Sequence, residues 1–139
     1  MTPVLIDSGA IVALFDSRER HHRQCATLVQ ELERRIVTCE AVIMESCHLL
    51  RRLPGAPERV IENIENGIFA IDFSLTESAS QIRSILRKYR DVPASLADSC
   101  LISLAEQENT GDILTLDSDF QVYRWRGNRP FHNLVSLGS

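Results

Sequence analysis

The apolar positions of this 139-residue chain fall into short aliphatic runs separated by longer stretches of helical spacing. Val4-Leu5-Ile6 is brief and branched, as a buried strand is. Asp7-Ser8-Gly9 offers capping chemistry ahead of a helix through Ala10-Ile11-Val12-Ala13-Leu14-Phe15. From His21 to Arg35 the apolar residues Cys25, Leu28, Val29 and Leu32 recur at helical spacing. Ile36-Val37-Thr38 predicts a second strand, and Glu40 to Leu53 a helix stopped at Leu53-Pro54-Gly55. Pro57 to Glu65 is the next helix, with Val60, Ile61 and Ile64 as its stripe. Gly67 ends it, and Ile68-Phe69-Ala70-Ile71 is a third strand. Thr76 to Tyr89 reads as a helix on Ala79, Ile82, Ile85 and Leu86. Ser95 to Glu108 is another, closed by Asn109-Thr110-Gly111. Asp112 to Leu116 predicts the fourth strand, and Leu134-Val135 a weak last one.

Strands alternating with helices build βαβ units. The expected fold is therefore α/β, three layers in α/β/α order with a central, mostly parallel sheet. No repeat, low-complexity segment or linker divides the sequence, so one domain is expected over residues 1–139. Ligands of such folds bind beyond the carboxyl ends of the strands. Asp7 and Asp117 each follow such an end, so sheet topology is expected to bring them to one edge.

Two further acids break apolar patterns. Glu45 interrupts Ala41-Val42-Ile43-Met44 and lies one turn from Leu49; Asp98 aligns with Leu101, Ile102 and Ala105. No lysine or arginine stands one turn away on either stripe. Carboxylates near apolar surroundings need a partner or a metal. Taken singly, Asp7 also reads as a helix cap, and Asp117 with Asp119 as turn formers. Together the four acids from separate segments point to one shared site for a hard divalent cation. Oxygen-only ligation suits Mg²⁺ or Mn²⁺ over zinc. The first strand–helix turn has no glycine-rich phosphate loop and presents a carboxylate instead. Such a site permits metal-assisted phosphodiester hydrolysis.

Composition adjusts this picture little. Apolar content of 44% and charged content of 24% are those of a soluble globular protein. Cys25, Cys39, Cys47 and Cys100 form no metal-binding spacing and read as reduced core residues. No apolar run is long enough to span a bilayer and no basic leader precedes Asp7, so a cytoplasmic protein with no membrane partner is expected. The net charge of −4 would disfavour nucleic acid, but discounting the four acids leaves the chain about neutral. His21-His22 has the wrong spacing for a metal pair, since adjacent helical residues diverge. Trp125, with Arg124 and Arg126, could stack on a base and contact phosphate, or pack near the C-terminus.

Asp7 after its strand, Glu45 in a helix after Thr38, Ala97-Asp98 opening a later helix, and Leu114-Thr115-Leu116-Asp117-Ser118-Asp119-Phe120 together resemble a PIN domain. The resemblance spans essentially the whole chain, and the group it resembles is the VapC-like toxins of bacterial type II toxin–antitoxin systems. That resemblance implies an Mg²⁺- or Mn²⁺-dependent endoribonuclease using one or two ions. It also implies an RNA substrate, a homodimer, and an antitoxin protein whose tail occupies the acidic groove. Asp7, Glu45, Asp98 and Asp117 would form the catalytic metal site, with Asp119 a further acid binding through water. Thr115 and Ser8 would support the pocket, and Arg124 and Arg126 would meet RNA. Two other readings remain: a non-cleaving PIN-like RNA- or protein-binding module, which would survive loss of the acids, and a metal-dependent phosphatase, which would use the same acids but need a closed pocket with basic residues.

Overall fold

The structure, a computed structural model, describes residues 1–138. Three-residue strands alternate with helices: β1 (Val4–Ile6), α1 (Ser8–Phe15), α2 (His22–Glu31), β2 (Ile36–Thr38), α3 (Glu40–Leu49), α4 (Ala56–Glu65), β3 (Phe69–Ile71), α5 (Leu75–Lys88), α6 (Leu96–Glu108) and β4 (Asp112–Leu114). A 3₁₀ turn over Ser118–Gln121 follows, then β5 (Arg124–Trp125), β6 (Arg129–Pro130) and β7 (His132–Asn133). The main sheet has the order β3-β2-β1-β4-β7, and every pairing in it is parallel. Helices flank this sheet, as the α/β/α expectation required. The right-handed crossover rule sends α1 to α4 to one face and α5 and α6 to the other. Strand order reverses between β1 and β4, the switch point at which open α/β sheets leave a crevice.

The core is the apolar content of the short strands. Val4, Leu5, Ile6, Val37 and Ile113 are wholly excluded from solvent. Leu101, Leu104 and Ala105 of α6 and Ala10, Ile11 and Ala13 of α1 cover the sheet. Each large aliphatic side chain so buried contributes about 1.5–3 kcal/mol relative to exposure. The four cysteines are free, three of them buried. Among the described residues no helix is long and apolar enough to cross a membrane.

Several element ends differ from the periodicity. The helix expected to Arg35 stops at Glu31, and Leu32 is extended. The cause is non-local: Arg34 donates to the carbonyls of Thr2 and Pro3 and to Asp112, while Val4 N–H donates to Arg35 C=O. These bonds need extended backbone. The helix from Glu40 ends at Leu49, short of Leu53, because the chain tightens into turns before Pro54, whose ring disfavours helix at the residue ahead of it. The last strand is His132–Asn133 and not Leu134-Val135, since its place is set by register with β4 (Asp112↔His132, Ile113↔Asn133). Val135 is buried in the core beyond that ladder. The antiparallel β5–β6 pair was not foreseen, two-residue strands having no readable period. It rests on Trp125, whose indole lies against Gly111: a Cβ there would meet Nε1 at 2.1 Å. The same indole N–H donates to Pro130 C=O at 3.1 Å.

Candidate metal centre

Three of the acids foreseen in the sequence converge where β1 and β4 end. One carboxylate oxygen from each of Asp7, Asp98 and Asp117 lies within 4.8 Å of the others. Asp7 and Asp98 are buried, at 4% and 9% exposure, and Asp117 opens toward solvent. Each sits at or in the first turn of a helix, and local capping bonds aim its carboxylate. Asp7 caps α1, its Oδ1 accepting Ser8 N–H at 2.7 Å. Asp117 caps the 3₁₀ turn, accepting Asp119 N–H at 2.9 Å. Asp98 lies in the first turn of α6, where Ser95 Oγ accepts its N–H in a capping box. The capping reading and the site reading are thus the same geometry: caps orient the acids.

Further bonds tie the three together. Thr115, wholly buried, donates its hydroxyl to Asp7 Oδ2 at 3.0 Å and accepts Asp117 N–H at 3.0 Å. Tyr123, also wholly buried, donates its hydroxyl to Asp98 Oδ2 at 3.0 Å. Ser8 donates its hydroxyl to Glu45. Glu45 and Asp119 line the same cleft without joining the tight triad. Glu45 is exposed, so the burial argument made for it fails. Its apolar neighbour Leu49 is itself 54% exposed, as a wall of the cleft and not part of the core.

The cleft, about 530 Å³, is lined by Asp7, Ser8, Gly9, Glu45, Leu49, Pro93, Ser95, Asp98, Leu116, Asp117 and Asp119. It holds five carboxylates, and among the described residues no lysine, arginine or histidine lines it. Burial, reinforced by the neighbouring charges of Asp98 and Asp117, pushes Asp7 up to about 6, while its hydrogen bonds from Ser8 and Thr115 act to lower it. Burial also raises Asp98, with Asp117 and Glu45 adding repulsion while the Tyr123 hydrogen bond opposes it. The same surroundings push the Tyr123 phenol upward, burial first, so it stays a hydrogen-bond donor. Carboxylates crowded together with no cation of the protein's own and with oxygen donors only are what a hard divalent cation fits.

The remaining candidates lie outside the cleft. Arg124 donates one guanidinium nitrogen to the carbonyls of Gln121, Val122 and Tyr123, so that group caps the 3₁₀ turn. Arg126, at φ +47°, and Arg129 lie 5.7 and 5.2 Å from the Trp125 ring. Trp125 is 7% exposed and packs as a core residue. His22 Nδ1 contacts Ala13 C=O at 2.7 Å, away from any metal arrangement. Two residues escaped the sequence reading. For Tyr123 a signal existed, because a buried tyrosine must place its hydroxyl on an acceptor. For Asn133, whose carboxamide bonds the backbone of Thr115, none did.

The family model of the PIN domain matches residues 4–125. The chain is 27% identical over 116 residues to Ribonuclease VapC26 of Mycobacterium tuberculosis, covering 82% of this chain and 86% of that protein. Its fold superposes on the crystal structure of Mycobacterium tuberculosis VapC20, a Sarcin-Ricin loop cleaving toxin, with a TM-score of 0.79. That match covers 91% of this chain and 99% of the other at 16% identity, a likeness of fold.

Proposed function

The chain belongs to the PIN domain family, and from that premise we propose that it is a divalent-metal-dependent endoribonuclease, the toxin of a type II toxin–antitoxin pair. The observation that carries this is the triad of Asp7, Asp98 and Asp117 converging within 4.8 Å in a cleft without a cationic side chain. The relatives named Ribonuclease VapC26 and VapC20 toxin supply the direction of the chemistry.

In this reading Asp7, Asp98 and Asp117 hold one or two Mg²⁺ or Mn²⁺ ions, with Glu45 and Asp119 completing the acidic lining. A bound divalent cation would neutralise charge developing on the phosphodiester and acidify a water at the cleft. The chain's own residues fix the carboxylates: Thr115 orients Asp7, Tyr123 orients Asp98, and Ser8 steadies Glu45. Apolar Leu49, Pro93 and Leu116 wall the cleft beside them. With Arg124 committed to carbonyls, the exposed Arg126 is the better placed of the two for RNA phosphates. Residues 1–139 are taken as one domain, a reading supported by buried core side chains from Val4 to Val135. A homodimer, an antitoxin that covers the acidic cleft, and a cytoplasmic setting complete the proposal. The phosphatase alternative lacks support: the cleft offers no basic residue to grip a small phosphate ester.

The test is cleavage of mixed cellular RNA by purified protein with Mn²⁺ or Mg²⁺, then with chelator, beside Asp98→Asn. Cutting is expected to need both metal and Asp98, the variant falling at least ~100-fold. Equal cutting by the variant, or cutting in chelator, would overturn the assignment.

A further inference from the structure

We propose that Asn133 is a positioning residue of the metal centre, acting through Thr115 to set the separation of Asp7 and Asp117. The proposal rests on the metal-site reading above and adds a residue beyond the segment that the family pattern covers, residues 4–125.

Strand β7 is already joined to β4 by its backbone. His132 N–H donates to Gly111 C=O and Leu134 N–H to Ile113 C=O, both at 2.8 Å. The Asn133 side chain is not needed for that attachment, and all its bonds lie past the end of the ladder. Its Oδ1 accepts Thr115 N–H at 3.2 Å and Val135 N–H at 3.1 Å, while its Nδ2 donates to Thr115 C=O at 2.9 Å. Two N–H groups facing one end and a carbonyl facing the other fix which end of the amide is oxygen. The carboxamide therefore replaces a strand residue, pairing both backbone groups of Thr115 where β4 has ended.

Thr115 held in this way serves two acids. Its hydroxyl donates to Asp7 Oδ2 and accepts Asp117 N–H. A hydroxyl that donates to one ligand and receives from the backbone of the next fixes their mutual placement. These are the acids whose charges repel when no cation lies between them. Outer partners of metal ligands act in this manner, and losing one weakens metal affinity about 10–100-fold.

The experiment is a Mn²⁺ titration of the purified full chain, free Mn²⁺ read by its paramagnetic resonance signal, with melting temperatures recorded in chelator. Asn133→Ala is expected to bind Mn²⁺ at least ~10-fold more weakly. Val135→Ala, which trims a buried side chain of the same segment, should lower the melting temperature yet hold Mn²⁺ affinity within about twofold. In a Thr115→Val background, which cuts the hydroxyl link, Asn133→Ala should add less than about twofold. Should the alanine variant fail to fold, Asn133→Ser carries the same expectation. Wild-type affinity in a folded Asn133 variant, or an equal loss in Val135→Ala, overturns the proposal. A wild-type protein that binds no Mn²⁺ overturns the metal reading itself, and this inference with it.

Discussion

At the amino end of β4, Asp112 meets Arg34 Nη2 at 2.7 Å and His132 Nδ1 at 3.3 Å. At the carboxyl end of the same strand and its neighbour β1, Asp7, Asp98 and Asp117 face one another with no cation lining their cleft. One face of the sheet edge brings its own positive charge, and Arg34 is further spent on the carbonyls of Thr2 and Pro3. The other leaves negative charge uncompensated and, at Asp7 and Asp98, more deeply buried. A carboxylate whose counter-charge is built into the chain fastens secondary structure. A carboxylate without one stores electrostatic free energy that an external cation can release.

The sharpest way to break this contrast is to neutralise one acid at each end. Asp7→Asn should cut RNA cleavage at least ~100-fold while leaving the metal-free fold as stable as wild type or more so, because it removes repulsion. Cleavage assays with paired chelator melts measure both halves, and a strongly destabilised variant would contradict the account of stored repulsion. Arg34→Met should do the reverse. It removes the guanidinium shared by Asp112 and the carbonyls of Thr2 and Pro3, for a loss of about 2 kcal/mol in denaturant unfolding, with Mn²⁺ affinity unchanged.

The smallest effect is the pH dependence of the metal-free protein. Asp7 is raised to about 6 in the fold against the ordinary 3.8, so the native state holds more protons than the unfolded chain between those values. Stability from this group is therefore fully present at low pH and lost as pH rises through about 6. Between roughly pH 7 and pH 5 the gain on acidification should be about 1 kcal/mol, absent in Asp7→Asn. Wild type and variant showing the same pH profile would count against it. Acidification over that range should also weaken Mn²⁺ binding, since the proton and the cation compete for Asp7.

Asp7, Asp98 and Asp117 were legible because each stands where local patterning marks it: past an aliphatic strand, or inside an apolar helix. The parallel sheet was legible from the same alternation. What escaped depends on partners far away in the chain. Helix α2 ends early because Arg34 bonds Asp112, and β7 is placed by β4 and not by the hydropathy of Leu134-Val135. The roles of Tyr123 and Asn133 are likewise set by Asp98 and Thr115, neither of them a sequence neighbour. Glu45 was singled out for burial that it lacks; its position on the cleft wall comes from α3 packing against α1 and from Ser8 reaching across.

The contact between Trp125 and Gly111 bears on where this unit of folding stops. The recognisable family pattern ends at residue 125, inside the β5–β6 pair. A fragment trimmed to that point would keep the indole against Gly111 but strip away the Pro130 carbonyl that receives its N–H. It would also open the core at Val135 and expose the outer edge of β4 as an unpaired template for a second chain. Such a fragment should self-associate through that edge. The family model's match therefore ends earlier along this chain than the buried core does.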